Sequence, residues 1–350
     1  MRSRDAARRT IGWDIGGAHL KAACFDDDVL RDVAQWRCEL WRGLSHLHEA
    51  FAAARERFGD NTTCTHAVTM TGELTDVFEH REAGVAAIVA ATVRALGPDV
   101  GFYAGREGFV DASAASVRWG AIASANWLAT ASVVAQRLYD AVLIDMGSTT
   151  TDVVPIAGGR VVARRRDDAA RLAARELVYV GVVRTPLCAL AQRVRFRGRA
   201  SNVMNELFAT SADVFRLTGE LAPAHDQAAT ADGAPRDLAS TRRRLARMIG
   251  CDARDATDDE WLALAREWRS SFVALVRENV EAALGAAGVP RDAPIVGAGC
   301  GSFLVRECAA GMKRRYVEFA DVVAAAPEWR DGAGLCAPAV AVAILRTSNA

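Results

Sequence analysis

Two stretches far apart in the chain share one layout. Residues 10–25 read TIGWDIGGAHLKAACF, and residues 142–155 read VLIDMGSTTTDVVP. In each, a short apolar run ends in an aspartate, a glycine follows two residues later, and a second apolar run leaves the turn. Asp14 and Asp145 occupy equivalent places, as do Gly16 and Gly147. A turn needed only to reverse the chain carries Asn-Gly or Asp-Gly at its tip. Here the acid sits on the incoming strand. That placement suits a carboxylate holding a metal ion beside phosphate oxygens cradled by the turn's N–H groups. Taken singly, 142–155 reads equally well as a hairpin with a decorated turn, because isolated glycine turns are weak motifs. Its recurrence is the stronger signal, since an internal repeat constrains a fold more than one turn does.

The segments around each turn parse as βββαβα. In the first half, strands fall near 10–15, 19–26 and 29–37. A helix follows near 44–58 with Leu44, Leu47, Phe51 and Ala54 on one face, then strand 65–70. A helix within 81–96 is closed by Gly97-Pro98, strand 101–104 completes the unit, and a helix around 114–138 leads out. In the second half, strands fall near 141–146, 150–156 and 160–165, with a helix near 168–178. Residues 180–290 interrupt the copy. They read as mostly helical, with candidate helices at 205–219 and 257–288, and a turn-rich polar stretch at 222–237 that reads as a mobile surface loop. Strand 294–298, the glycine turn VGAGCGSF (296–303), a helix, strand 315–319 and a last helix near 333–346 resume the pattern. The parse predicts an α/β fold of two ribonuclease H-like domains, 1–138 and 139–335. The second carries the helical insertion at about 180–290, and a C-terminal helix within 336–350 returns to the first. Asp14 and Asp145 are expected to face each other across a cleft between the domains.

Composition narrows the partners. Lys plus Arg equals Asp plus Glu at 43 each, which argues against nucleic acid or an anionic membrane as main partner. The eight cysteines are scattered without a CxxC pair. They suit buried thiols in a reducing compartment rather than a zinc site or disulfide frame. The opening MRSRDAARRT lacks the apolar stretch of a signal peptide. Trp119 to Gln136 carries no charge, but Ser124, Asn126, Thr130, Ser132 and Gln136 make it too polar for a lipid-facing helix. A buried helix and a cytoplasmic protein are expected.

The doubled unit with its late glycine turn resembles the actin/sugar-kinase/Hsp70 superfamily. DMGSTTTDVVPI and DIGGAHLKAA resemble its hydantoinase/oxoprolinase branch. WDIGGAHLKAA, VTMTGELTDVF, SANWLATA, ELVYVGVVRTPLC, NELFATSADVFRLTGEL and GAGCGSFL, spread over residues 13 to 304, are similar to a small single-chain subfamily tied to tetrahydromethanopterin-linked one-carbon metabolism. That subfamily includes the synthase that builds the ether of methanofuran-type (methylofuran) cofactors. The resemblance implies a transferase joining an aminomethylfuran-methyl diphosphate to the phenol of a glutamyl-tyramine or glutamyl-tyrosine, with release of diphosphate. It implies Mg²⁺ as cofactor, and ATP is not expected as a substrate. His19, Leu20 and Cys300 depart from the family's pattern. An ATP-dependent kinase or ring-opening hydrolase, and a nucleotide-switched binding protein, are the competing readings. Chain length favours the transferase, because ring-opening relatives are much larger or need partner subunits.

The implied reaction can be matched to residues. Departure of diphosphate builds negative charge, which Mg²⁺, a lysine and preorganised N–H groups stabilise. Asp14, Asp145 and Asp152 are the candidate metal carboxylates, the last two also counted as catalytic. Lys21 is placed to reach the diphosphate, unless it is a surface-strand lysine. Gly16, Gly17, Gly147, Ser148, Thr149 and Thr150 form the two turns that would hold it. Gly297, Gly299 and Gly301 precede a helix and suit a nucleotide or the furan/diphosphate end, since three alternating glycines exceed what strand–helix packing needs. The phenol has a reference pKa near ~10, so a general base helps. Glu73 is the first candidate and Asp76 the next, with an N-terminal helix acid or cap as the alternative role for each. Asn126 either orients substrate or satisfies a buried backbone group. The run TRRRLAR (241–247) suits a glutamate carboxylate but reads foremost as a solvated helix face. His46 and His48 read as surface residues.

Overall fold

A computed structural model of the chain describes residues 9–59, 64–163 and 167–348. The basic opening residues 1–8 and the expected strand end at 164–165 lie outside the described residues. The chain divides into two compact units. One comprises Met1–Leu143, Val154–Ala170 and Val317–Ala350; the other comprises Ile144–Val153 and Arg171–Tyr316.

The first sheet contains β1 (Arg9–Ile15), β2 (His19–Asp26), β3 (Val29–Arg37), β4 (Thr65–Met70), β5 (Val100–Tyr103) and β6 (Phe109–Val110), in the order β3-β2-β1-β4-β5-β6. The first three strands form an antiparallel meander. β4 joins parallel to β1, and β5 parallel to β4, through crossover helices Ser45–Phe58 and Arg81–Leu96. Parallel central strands are covered on both faces and so need nearly continuous apolar runs. β1 and β4 have them, each with every residue after the first buried. Trp13 is fully buried against Phe51 and Phe58, and its indole N–H donates to His66 Nδ1 at 3.1 Å. Helix Ala337–Ser348 packs on β1, β2 and β4.

The second sheet is built from β7 (Ala141–Met146), β8 (Thr151–Ala157), β9 (Arg160–Val161) and β10 (Leu177–Val178). After a separate hairpin, β11 (Arg193–Phe196) and β12 (Arg199–Asn202), it is completed by β13 (Ile295–Ala298) and β14 (Tyr316–Glu318). Its order is β10-β8-β7-β13-β14, with β9 also paired to β8. The path β9-β8-β7-β13-β14 repeats β3-β2-β1-β4-β5, so the doubled βββαβα pattern expected from the sequence is present.

The expected helix at 257–288 is one continuous helix, Asp258–Ala287. Thr257 and Glu260 form a reciprocal capping box, acids fill its first turn, and Gly288 at φ 67° ends it. Trp261, Leu264, Trp268, Phe272, Val276 and Val280 form its buried face. Four expectations are corrected. The helix at 205–219 begins only at Ser211, where Thr210 and Asp213 cap it. The helix around 114–138 is broken into Ala112–Val117, Trp119–Ile122 and Asn126–Arg137, with Ser124 at φ 52° in the gap. The stretch 222–237 is tied down rather than loose. Arg216 donates two bonds to Asp226, and Arg244 donates to Asp232. The run 241–247 is a solvated face only in part: Arg243 and Arg247 are exposed, but Arg244 is wholly buried on Asp213 and Thr241.

Trp127 to Ala131, within the uncharged segment, are buried, as the sequence predicts. Among the described residues no helix is long and apolar enough to cross a membrane. Among the described residues no disulfide joins the eight cysteines, and five of them are buried. Burial pushes the Cys24 and Cys308 thiols up to about 11 and Cys38 up to about 12.

Candidate active site

In the first unit, the site is built where β1 and β4 end side by side. Asp14 and Lys21 are direct partners in the β1–β2 register, with Lys21 Nζ 3.8 Å from Asp14 Oδ2. Cross-strand neighbours face the same side. The turn between them closes when Gly16 N–H donates to the His19 carbonyl at 3.0 Å. Leu40 N–H braces it from Gly17 O, and Thr71 N–H from Ile15 O. Because β4 runs parallel beside β1, the residues that follow it arrive at this turn. Gly72 is pressed there: a Cβ would stand 2.6 Å from Leu40 Cδ2 and 3.3 Å from the Ile15 and Gly16 carbonyl oxygens.

Glu73 comes next, in the short 3₁₀ turn Gly72–Leu74, and is 1% exposed. Ser124 Oγ lies 2.9 Å from its Oε1 and 3.1 Å from Asp168 Oδ2, and Arg81 Nη2 lies 2.6 Å from that same Asp168 oxygen. Glu73 Oε2 is buried with no hydrogen-bond partner. Burial pushes the Glu73 carboxyl up to about 7, aided by the charge of Asp168; its own backbone N–H, the Ser124 hydroxyl and Arg81 pull the other way. Glu73 is not a helix cap. His80 caps Arg81–Leu96, its Nδ1 accepting from Ala83 N–H at 3.1 Å. Asp76 is exposed. Asn126 opens its helix, and its Oδ1 accepts from Trp127 N–H at 2.7 Å.

In the second unit, Gly147 N–H donates to Thr150 O at 2.8 Å, closing the turn after β7. The chain at 182–184 folds back onto it. Val182 N–H reaches Gly147 O at 3.1 Å, and Val183 and Arg184 N–H both reach Ser148 O, at 3.1 and 2.9 Å. Thr185 and Ser211 hydroxyls anchor this segment on the Gly181 carbonyl, at 3.0 and 2.7 Å. Asp152, on β8, is paired to the buried Arg171 at 2.7 Å. The sequence reading assigned no role to Gly181, Thr185 or Arg171. Glycine and threonine four residues apart after the apolar run ELVYV were the available signal.

The glycines at 297, 299 and 301 each meet a close neighbour. A Cβ on Gly297 would strike the Tyr316 ring, and one on Gly301 the Met146 side chain. Gly299, at φ 81°, would place a Cβ 2.6 Å from Asp145 Oδ1. Packing therefore requires all three, contrary to the expectation that three exceed its needs. Arg242, Arg243, Arg247 and Arg254 border a cavity of about 670 Å³ in the helical insertion. Among the described residues, no three His, Cys, Asp or Glu side chains gather as a metal-binding cluster. Asp14 and Asp145 are each a single carboxylate beside a glycine turn, a donor set that would suit a largely hydrated Mg²⁺ rather than one held in a protein cage.

Residues 64–348 match the hydantoinase/oxoprolinase family. A protein of Methanocaldococcus jannaschii, named (4-{4-[2-(gamma-L-glutamylamino)ethyl]phenoxymethyl}furan-2-yl)methanamine synthase, is 32% identical over 272 residues, covering 77% of this chain and 80% of that protein. A Methanococcus vannielii protein of the same name is 34% identical over 140 residues, 40% of this chain and 63% of that protein. Among solved structures, nucleotide-free acetone carboxylase aligns with a TM-score of 0.59 at 10% identity, over 95% of this chain and 70% of its own. That likeness shows the fold alone. The family match spans most of the chain, including β4 with Glu73, the second turn and the late glycine turn, and the chain belongs to the hydantoinase/oxoprolinase family.

Proposed function

We propose that this protein is an ether-forming transferase of methanofuran-type cofactor biosynthesis. It joins the phenol of a glutamyl-tyramine, or its tyrosine counterpart, to the methyl carbon of an aminomethylfuran-methyl diphosphate and releases diphosphate. The observation that carries this reading is the 32% identity over 272 residues to a protein whose name specifies a phenoxymethyl-furan product. A bond between a phenol oxygen and a furan-methyl carbon calls for a base at the phenol and charge stabilisation at the leaving group.

The residues support that division of labour. Glu73 Oε2, buried without a partner, is an acceptor that a phenol O–H would satisfy. A base near 7 is well matched to proton transfer at neutral pH. Lys21 and the Gly16–Gly17 turn, through the Gly17 N–H, are assigned to diphosphate, as are Ser148, Thr149 and Thr150 around Gly147. Asp14 and Asp145 are the first choices to hold Mg²⁺. Asp152 is also a candidate, though its charge is already met by Arg171. When bound, Mg²⁺ supplies positive charge against the leaving oxygens. Asn126 is assigned to the furan end, as are the backbone N–H groups of the 297–301 turn, whose glycines packing explains. The proposed setting is the cytoplasm.

The test is incubation of the protein and Mg²⁺ with furan-methyl diphosphate and γ-glutamyl-tyramine or γ-glutamyl-tyrosine. Diphosphate release and the mass of the ether are measured, with ATP and ADP analysis in parallel. Ether and diphosphate in equal amounts are expected, and E73Q should slow ether formation ~10²–10⁴-fold with little change in diphosphate-substrate affinity. Folded protein that makes no ether from either acceptor would overturn the proposal.

A further inference from the structure

Ser124 stands between two carboxyl groups, 2.9 Å from Glu73 Oε1 and 3.1 Å from Asp168 Oδ2. A hydroxyl has a single hydrogen to donate. It makes one full bond at a time, and both short contacts are fully satisfied when one carboxyl brings a proton of its own. Glu73 is the better holder. It is sealed from solvent, while Asp168 is paired with Arg81. With Glu73 protonated the hydrogen bonds run one way, Glu73 O–H to Ser124 Oγ and Ser124 O–H to Asp168; with Glu73 ionised the Ser124 O–H turns to its Oε1, a stronger, charge-assisted bond. Only the far end reaches water, with the Asp168 side chain 13% and the Arg81 side chain 26% exposed.

The backbone points to the same residue. Ser124 holds φ 52°, a region that costs energy for any residue with a side chain. It does so in the gap between two helices, which is what sets its hydroxyl between the carboxyls.

We propose that Ser124 relays a proton from Glu73 to Asp168, with Arg81 holding Asp168 in place, so that a base sealed from solvent exchanges protons with water through this chain. The part played in ether formation rests on the function proposed above; the proton link itself does not. In the reaction, the phenol O–H bond breaks as a new O–H forms at Glu73 Oε2. The proton already on Oε1 passes to Ser124 Oγ, the Ser124 hydrogen moves to Asp168, and Asp168 releases it to water. The electron pair of the broken furan-methyl C–O bond leaves with diphosphate. Ser124, Asp168 and Arg81 are positioning residues for Glu73.

The test follows the Glu73 carboxyl C=O stretch with pH, isolated as the difference between wild-type and E73Q infrared spectra. The charged groups acting on Glu73 are Asp168 and Arg81, from the two helices that reach it. S124G suits the positive φ and removes the hydroxymethyl group that makes both contacts. It should raise the pH at which Glu73 ionises, because a hydrogen bond favouring the carboxylate is lost. D168N should lower that pH, because a negative neighbour is lost. Both should slow ether formation by about tenfold or more. Opposite shifts in titration with losses of rate in the same direction are the signature of the relay. Static neighbours that relay no proton would shift the midpoints but leave the rate of ether formation in place. Unchanged midpoints, or S124G turning over at the wild-type rate, would overturn it. If the wild type makes no ether, the proposed function fails, and the midpoints alone decide: shifted supports the link, unshifted overturns it.

Discussion

Glu73 shows how position changes what a side chain is. In water its carboxyl ionises near 4.5; inside the fold it rises to about 7. The folded protein therefore holds this proton more tightly than the unfolded chain does. Its contribution to stability is fully present below about 4.5 and is lost as pH rises through about 7. The shift corresponds to about 3 kcal/mol at most. E73Q, which cannot ionise, should gain on the wild type between pH 5 and pH 8 by up to about that amount. Urea midpoints of both proteins at the two pH values measure it. A constant difference across that range would mean that Glu73 titrates as an ordinary exposed acid.

At the scale of elements, the insertion is held by buried ions as well as by an apolar helix face. Arg244, Arg216, Asp213, Asp226 and Asp232 join helices Ser211–Leu217 and Leu238–Arg247 to the stretch 222–237. A buried ion pair adds little against a well-packed apolar replacement, but removing one partner strands the other. R244A should therefore cost about 3–5 kcal/mol. The double variant D213N/R244M, which removes both charges, should recover much of that loss. Denaturant midpoints compare the two, and an equal loss in both would show that the energy lies in shape rather than charge.

For the whole molecule, the repeat sets one aspartate in each copy of the turn. Asp14 belongs to the first compact unit and Asp145 to the second, each at the same place in its copy of the turn. If both copies act on the charged leaving group, D14N and D145N should each lower diphosphate release by roughly 10²-fold. Far-UV circular dichroism should be unchanged, and excess chelator should stop turnover in the wild type. Wild-type turnover in D14N would mean that only the second copy of the turn retains a role.

The strands, the crossover helices and the two turns were legible in the sequence because they depend on neighbours. Apolar runs of strand length, a capping box at Thr257 and Glu260, and a glycine two residues after an aspartate are local patterns. Glu73 was legible as a candidate only from its place after β4. Its state depends on Ser124, 51 residues away, and on Asp168 further still. Burial of Arg244 followed the same logic: its local run is polar, and only distant aspartates make a buried guanidinium tolerable. The glycines at 297–301 invited a binding role in sequence, but Tyr316 and Met146 account for two of them and Asp145 and Met146 for the third. Periodicity and turn chemistry determined which elements form. Desolvation and charge pairing between residues far apart in the chain, which have no period, were decided only by the tertiary structure.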